Sequence, residues 1–277
     1  MNADTAPTHP RWRPSSFAIA LGFTLLLVVF GLGELLFFGL AAWLDPATLE
    51  GMFPGAEPHR MHGIGHGIVA WTIALCAVVQ LWRARERLAP AVLGLVAISL
   101  YTLAALLSGT FFGLEVAGIA AFAALVWLHP ARTGSNVLPI RPLRLVASAP
   151  LVAGGFILGA TELQRQLAGS AADEHVVFGH YGIMATLAAT GAAGALIAST
   201  SLSGARTTGW LAVFGAVAFG VASILFPGST SSLGVGPGVI LLAAAMVFGA
   251  TLLISHPAMA PDPDPTLDAI PHNQRAT

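Results

Sequence analysis

The chain has little charge. Only 9% of its 277 residues are charged, whereas a soluble globular domain carries about 25%. Lysine is absent, and all twelve basic residues are arginines. They are scattered and form no basic stripe, so nucleic acid is excluded as a partner. There is one cysteine, Cys76, inside an apolar run. One cysteine excludes a disulfide framework and a thiolate metal cluster within the chain. The sequence also lacks a P-loop and the GxSxG, HExxH and CxxC patterns. The familiar ATPase, serine hydrolase and zincin readings go with them.

What is present is hydrocarbon. Apolar residues make up 56% of the chain, and the mean hydropathy is +0.79. A membrane-crossing helix needs about 20 mostly apolar residues. Eight segments meet this requirement: 17–43, 61–82, 89–108, 111–129, 144–166, 174–199, 208–226 and 236–256. Pro and Gly punctuate the gaps, as at Asp45-Pro46, Phe53-Pro54-Gly55 and Pro227-Gly228. The first run is too long for a signal-peptide core and is interrupted by Glu34, so it reads as a span. The expected fold is all-α: a polytopic membrane protein with the lipid bilayer as its first partner.

With eight spans both termini share a side. Arg11, Arg13, Arg83, Arg85, Arg87, Arg132, Arg141, Arg144, Arg206 and Arg275 then fall together, leaving only Arg60 and Arg165 opposite. By the positive-inside rule this predicts a cell-membrane protein with both termini cytoplasmic.

Two stretches resemble copies of one design. Glu34 in GLGELLFFGL is followed by His59, His62 and His66 in EPHRMHGIGHGI. Glu162 in GATELQRQ is followed by His175 and His180 in DEHVVFGHYGI. Both halves end in His-Pro-Ala, at His129 and His256. The reading is a cytoplasmic segment 1–16, a four-helix repeat 17–130, a linker 131–143, a second repeat 144–257, and a Pro- and Asp-rich disordered tail 258–277. Four spans per repeat is an even number, so the copies should be related by an axis along the membrane normal.

Ionisable groups are expensive in hydrocarbon, and where they recur they mark function. His62 and His66, four apart, share a helix face at a spacing that suits two ligands of one metal. His175 and His180, five apart, cannot face one partner unless the first helical turn is irregular. A capping box at Ser170–Asp173 would start that helix near residue 171. This favours His180 as the inward counterpart of His66, with His59 and His175 nearer the surface as interfacial groups. Gly63, Gly65, Gly67, Gly179 and Gly182 would let the second and sixth spans approach closely.

Glu34, Glu115 and Glu162 fall at the same outer level. Glu34 and Glu162 are the expected catalytic carboxylates, acting as proton donors and acceptors. The expected metal ligands are His62, His66, His180, Glu34 and Glu115. Imidazole with carboxylate suits Zn, Cu, Fe or Mn. Alternatively, His66 and His180 would be the axial ligands of one b-type haem. His129 and His256 read as helix C-terminal caps.

The layout, eight helices in two halves with histidines on helices 2, 4, 6 and 8, resembles in outline the haem A synthase family. The resemblance implies haem held by histidines, with Glu57-Pro58-His59-Arg60 loosely echoing the family's Glu-and-Arg sequence around its first histidine. The chain departs from the pattern because His129 and His256 fall at the opposite face from His66 and His180. The leading expectation is a metal- or haem-binding membrane oxidoreductase acting on a lipophilic or quinone-like molecule near the outer leaflet. A proton-coupled transporter and a structural membrane subunit are the alternatives.

Overall fold

A computed structural model of the chain describes residues 14–111, 113–131 and 139–254. The tail 258–277, His256, and most of the segments 1–16 and 131–143 lie outside the described residues. The described residues are helical, with one isolated bridge between Ile140 and Thr200. The helices are α1 (Pro14–Ala41), α2 (Pro46–Met52), α3 (Arg60–Val78), α4 (Leu88–Ser108), α5 (Leu114–Trp127), α6 (Pro142–Ala168), α7 (Glu174–Val177), α8 (His180–Ala198), α9 (Ala205–Leu225) and α10 (Val235–Leu253). Seven of the apolar segments are long enough to cross a membrane.

The expected fourth span is shorter than the sequence reading had it. Its helix, α5, has 14 residues, about 21 Å at 1.5 Å per residue, against a hydrocarbon core of about 30 Å. The cause is local. Gly109 (φ 71°) and Gly113 (φ 84°) both lie in the left-handed region. Gly109 caps α4 and Gly113 precedes α5, so α4 stops at Ser108 and α5 starts only at Leu114.

Packing is organised around α3 and α8. In the apolar stretches of these two segments 67% of residues are buried, against 22% in α1 and 17% in α6. α1 packs on α3 and α5, and α4 packs on the same two, which closes a four-helix ring. α6 packs on α8 and α10, and α9 packs on the same pair. The rings meet where α3 and α4 lie against α8 and α9. This leaves α3 and α8 side by side at the centre, with His62 and His180 in their first turns.

The glycines of α3 serve different neighbours than expected. A Cβ on Gly67 would come within 2.5 Å of the Gly39 Cα, and one on Gly63 within 2.7 Å of the Phe38 ring. Both therefore permit the close crossing of α1 over α3. Only Gly65 faces α8, where a Cβ would meet Met184 Sδ at 2.6 Å.

Candidate metal centre

Two connectors deliver the site. The first runs from α1 to α3 through α2. Asp45 caps α2 by accepting from the Thr48 N–H, and Glu50 accepts from the backbone N–H groups of Gly55 and Glu57. Those bonds hold the half-buried Glu50 carboxyl below its ordinary pKa, the Glu57 N–H contributing most. A 3₁₀ turn, Glu57–His59, then leads into α3. Arg60 is wholly buried. It donates to the carbonyls of Ala42 and Leu44, pairs with the Glu57 carboxylate, and lies 4.6 Å over the Phe226 ring. It thereby locks the end of the connector beside α1 and fixes His59.

The second connector solves the five-residue spacing of its histidines by breaking the helix. Asp173 is the N-cap of α7, accepting from the His175 N–H at 2.9 Å. That bond is the main reason the Asp173 carboxyl lies below its ordinary pKa. The helix therefore starts at Glu174, and Ser170–Ala172 lie in the turn before it. α7 ends after one turn, Gly179 takes φ 71°, and α8 begins at His180. The break leaves backbone groups to be satisfied, and the buried Gln166 of α6 meets two of them. Its amide donates to the Val176 carbonyl at 2.8 Å and its carbonyl accepts from the Gly182 N–H at 3.1 Å. The irregular turn swings His175 to the same side as His180.

Four histidines converge as a result. One ligand nitrogen from each of His59, His62, His175 and His180 lies within 4.8 Å of the others. Ligand nitrogens around one tetrahedral Zn stand about 3.4 Å apart, given bonds of about 2.1 Å, so the set is somewhat wider than a closed shell. The rings of His62 and His180 stack at 4.8 Å and 11°. His59 lies 4.7 Å from His175 and 4.6 Å from His180. His59 and His175, assigned to the interface from the sequence, are thus full members of the group.

Three of the rings have one nitrogen beside an oxygen. His62 Nε2 lies 3.1 Å from Ser231 Oγ, His175 Nδ1 lies 3.1 Å from Asp173, and His59 Nε2 lies 3.7 Å from Glu174. On each of these rings the other nitrogen is buried and has no hydrogen-bond partner among the described residues, and so has His180 Nδ1. An unsatisfied buried polar atom costs about 1–3 kcal/mol. Ligating histidines characteristically offer one nitrogen to the metal while the other is held by an oxygen.

Behind His62 a polar chain continues. Ser231 Oγ donates to Glu162 Oε2 at 3.0 Å, and Glu162 Oε1 accepts from Arg165 at 2.9 Å. Glu162 is 1% exposed. Ser231, in the loop between α9 and α10, holds φ 65°, a left-handed conformation uncommon in residues other than glycine. The sequence reading missed Ser231, since a single serine in the run Ser229–Ser232 carries no pattern.

The other expected site residues lie elsewhere. His66 is one turn deeper on α3, its ring 6.1 Å from His180 and 6.4 Å from Tyr101, and its Nδ1 has no partner among the described residues. Glu115 is buried in the first ring, beside a cavity of about 310 Å³ that Tyr101 also lines. Glu34 is exposed on the outside of α1 and is not part of the histidine group. His129 closes the far end of the fold, with Nε2 3.2 Å from the buried Gln80.

Comparison with protein-family models, with curated proteins and with solved structures finds no match for this chain. The geometry has to carry the functional reading unaided.

Proposed function

We propose that this is a membrane-embedded metalloprotein whose His59, His62, His175 and His180 hold one first-row transition-metal ion. The observation that carries the reading is the pairing of four converging imidazoles with buried, unpartnered nitrogens, three of them backed by an oxygen on the opposite ring nitrogen. An all-imidazole set suits Zn, Cu, Fe or Ni. With four imidazoles filling a tetrahedral shell the ion would tie the two halves together, and it would act as a Lewis acid only if its shell kept a further position open. The chain's own residues orient the rings, and Ser231 and Glu162 hold the His62 tautomer.

Haem fits this arrangement poorly. His59, His62 and His175 pack within 4.6–5.7 Å of the His180 ring, which leaves no flat slot between His180 and His66 for a macrocycle. A transporter is also disfavoured, because the histidines lie at helix starts, whereas transport sites usually lie at half depth. The matching rings, α1-α3-α4-α5 and α6-α8-α9-α10, support a duplication of a four-helix unit. With the arginine distribution, they favour both termini in the cytoplasm and the metal centre near the outer leaflet.

The test is metal content by mass spectrometry on detergent-purified protein after brief chelation and reloading. The expectation is close to one ion per chain, and loss of most of it in His62→Ala and in His180→Ala. A protein that stays metal-free after exposure to Zn, Cu, Fe and Ni overturns the reading.

A further inference from the structure

The second ring encloses a cavity of about 490 Å³, walled by α6, α8, α9 and α10 with part of α3. Small-molecule sites span about 300–1,000 Å³. Most of the wall is hydrocarbon, including Leu158, Leu187, Leu211 and Phe219. The charged pair Glu162–Arg165 and Ser231 line one end, while Thr72 and Thr190 line the cavity from the middle of α3 and α8. Ser231 is the residue that touches His62, so the polar end of the cavity lies directly behind the metal centre.

The way in is lateral. Gly154, Ile157, Pro237 and Ile240 line the cavity and are also exposed, Ile157 at 70% and Ile240 at 69%. They lie on α6 and α10, near the middle of the first and within the first two turns of the second. An opening between two membrane-crossing helices at that height admits molecules from the bilayer.

The polar end also constrains the head group. Glu162 and Arg165 are an ion pair at 2.9 Å, so together they bring no net charge. Ser231 gives its hydrogen to Glu162. Arg165 carries five N–H donors, more than the one bond to Glu162 employs. Its side chain is half exposed, so those donors are free to turn to a ligand, and an uncharged acceptor oxygen is the group that can take them without opposing either member of the pair.

We propose that the cavity binds a single-chain lipid with an uncharged, carbonyl-bearing head, which enters from the bilayer between α6 and α10 and sets its carbonyl against Arg165. This deepens the metalloprotein reading and rests on it for the role of the bound molecule as substrate. An anionic head would meet the Glu162 carboxylate, and a cationic head would meet the Arg165 guanidinium.

The test uses the full chain in lipid nanodiscs and a long-chain methyl ester carrying a diazirine in its chain. Labelled peptides are mapped by mass spectrometry, beside probes with the same chain and a carboxylate or trimethylammonium head. The ester should label residues of α6, α8 and α10 saturably, about tenfold above the ammonium probe, as expected for one charge-assisted hydrogen bond. A Cβ on Gly191 would meet nothing within 4 Å, and Gly191 lines the cavity. Gly191→Leu should therefore fill the space and cut labelling by about tenfold or more, with metal content unchanged. Arg165→Met should abolish the preference for the ester while chain labelling persists. Labelling spread evenly over the outer helices, or unmoved by Gly191→Leu, overturns the proposal, as does equal labelling by all three heads. A metal-free protein with intact labelling sensitive to Gly191→Leu removes the metal centre and leaves the lipid site standing.

Discussion

The two halves of the chain carry the same sequence signature, a glutamate late in an apolar helix and histidines at the next helix start, yet treat it differently. In the second half Glu162 is 1% exposed and bonded to Ser231 and Arg165. In the first half Glu34 faces outward from α1. The neighbours account for this. α6 turns Glu162 towards the α9–α10 loop, which supplies Ser231. α1 crosses α3 with Gly39 against Gly67, and Glu34 is five positions earlier, or about 140° round the helix from that contact. The connectors differ as well. The first reaches the site through an ordered segment containing α2 and locked by Arg60, and the second by a one-turn helix and a left-handed glycine. Similar sequence in the two halves therefore yields one composite site, with His62 from one half stacked on His180 from the other.

The strongest challenge to that contrast is a pair of isosteric changes. Glu162→Gln should weaken metal affinity by about 10–100-fold, the range for loss of an outer-shell partner, while Glu34→Gln should leave it unchanged. Titration of the apo protein with Zn under competition from a chelator measures both, and equal effects would dissolve the distinction between the halves.

The helix crossings offer the next test. A Cβ on Gly39 would come within 2.3 Å of the Gly67 Cα, whereas one on Gly159 of α6 would sit in ordinary contact at 3.6 Å. Gly39→Ala should destabilise by about 1–3 kcal/mol through overpacking, and Gly159→Ala should be neutral or mildly stabilising. Thermal unfolding in one detergent reads the difference.

Gly179 sharpens the comparison of connectors. With φ 71° and a Cβ that would meet Ser108 Oγ at 2.4 Å, Gly179→Ala should cost about 1–2 kcal/mol from the left-handed backbone alone. It should also lower metal affinity, because the break sets the positions of both His175 and His180. Gly33→Ala in α1, where a Cβ meets nothing within 4 Å, should do neither.

The smallest effect concerns Glu50. Its folded pKa is lowered by the Glu57 and Gly55 N–H groups, so its contribution is present above the unfolded value and is lost as pH falls through the folded one. Glu50→Gln should therefore slightly lower the melting temperature at neutral pH, and the difference from the parent should vanish in acid. A difference that persists at low pH would mean the connector is held by something other than this carboxylate.

Much of the architecture could be read from periodicity and length, because a helix in hydrocarbon must satisfy its backbone internally and announces itself as a long apolar run. Seven of the eight expected spans return as long helices, most ends moving by a few residues, though the sixth begins later, at His180, because of the break at Gly179. The fourth shortened because two glycines turned the chain. The candidate site was partly legible. His62, His66 and His180 stood out as histidines within apolar runs, with His66 and His180 as the expected central pair, and the five-residue spacing to His175 was read as turning it away because a regular first turn was assumed. His59 and His175 were set aside as surface groups because a position near a helix end gives no information about what packs over it. Ser231 and Gln166 act across 69 and 16 residues of sequence, and no local pattern records such contacts.

By itself, then, the sequence determined a membrane-embedded helical chain, because composition and hydrophobic length are local properties of each segment. Which carboxylate turns inward, which histidines meet, and the cavity behind them were decided only by tertiary packing. Those features depend on the rotation of each helix about its axis and on what a distant loop brings alongside, and neither is a property of any single stretch of residues.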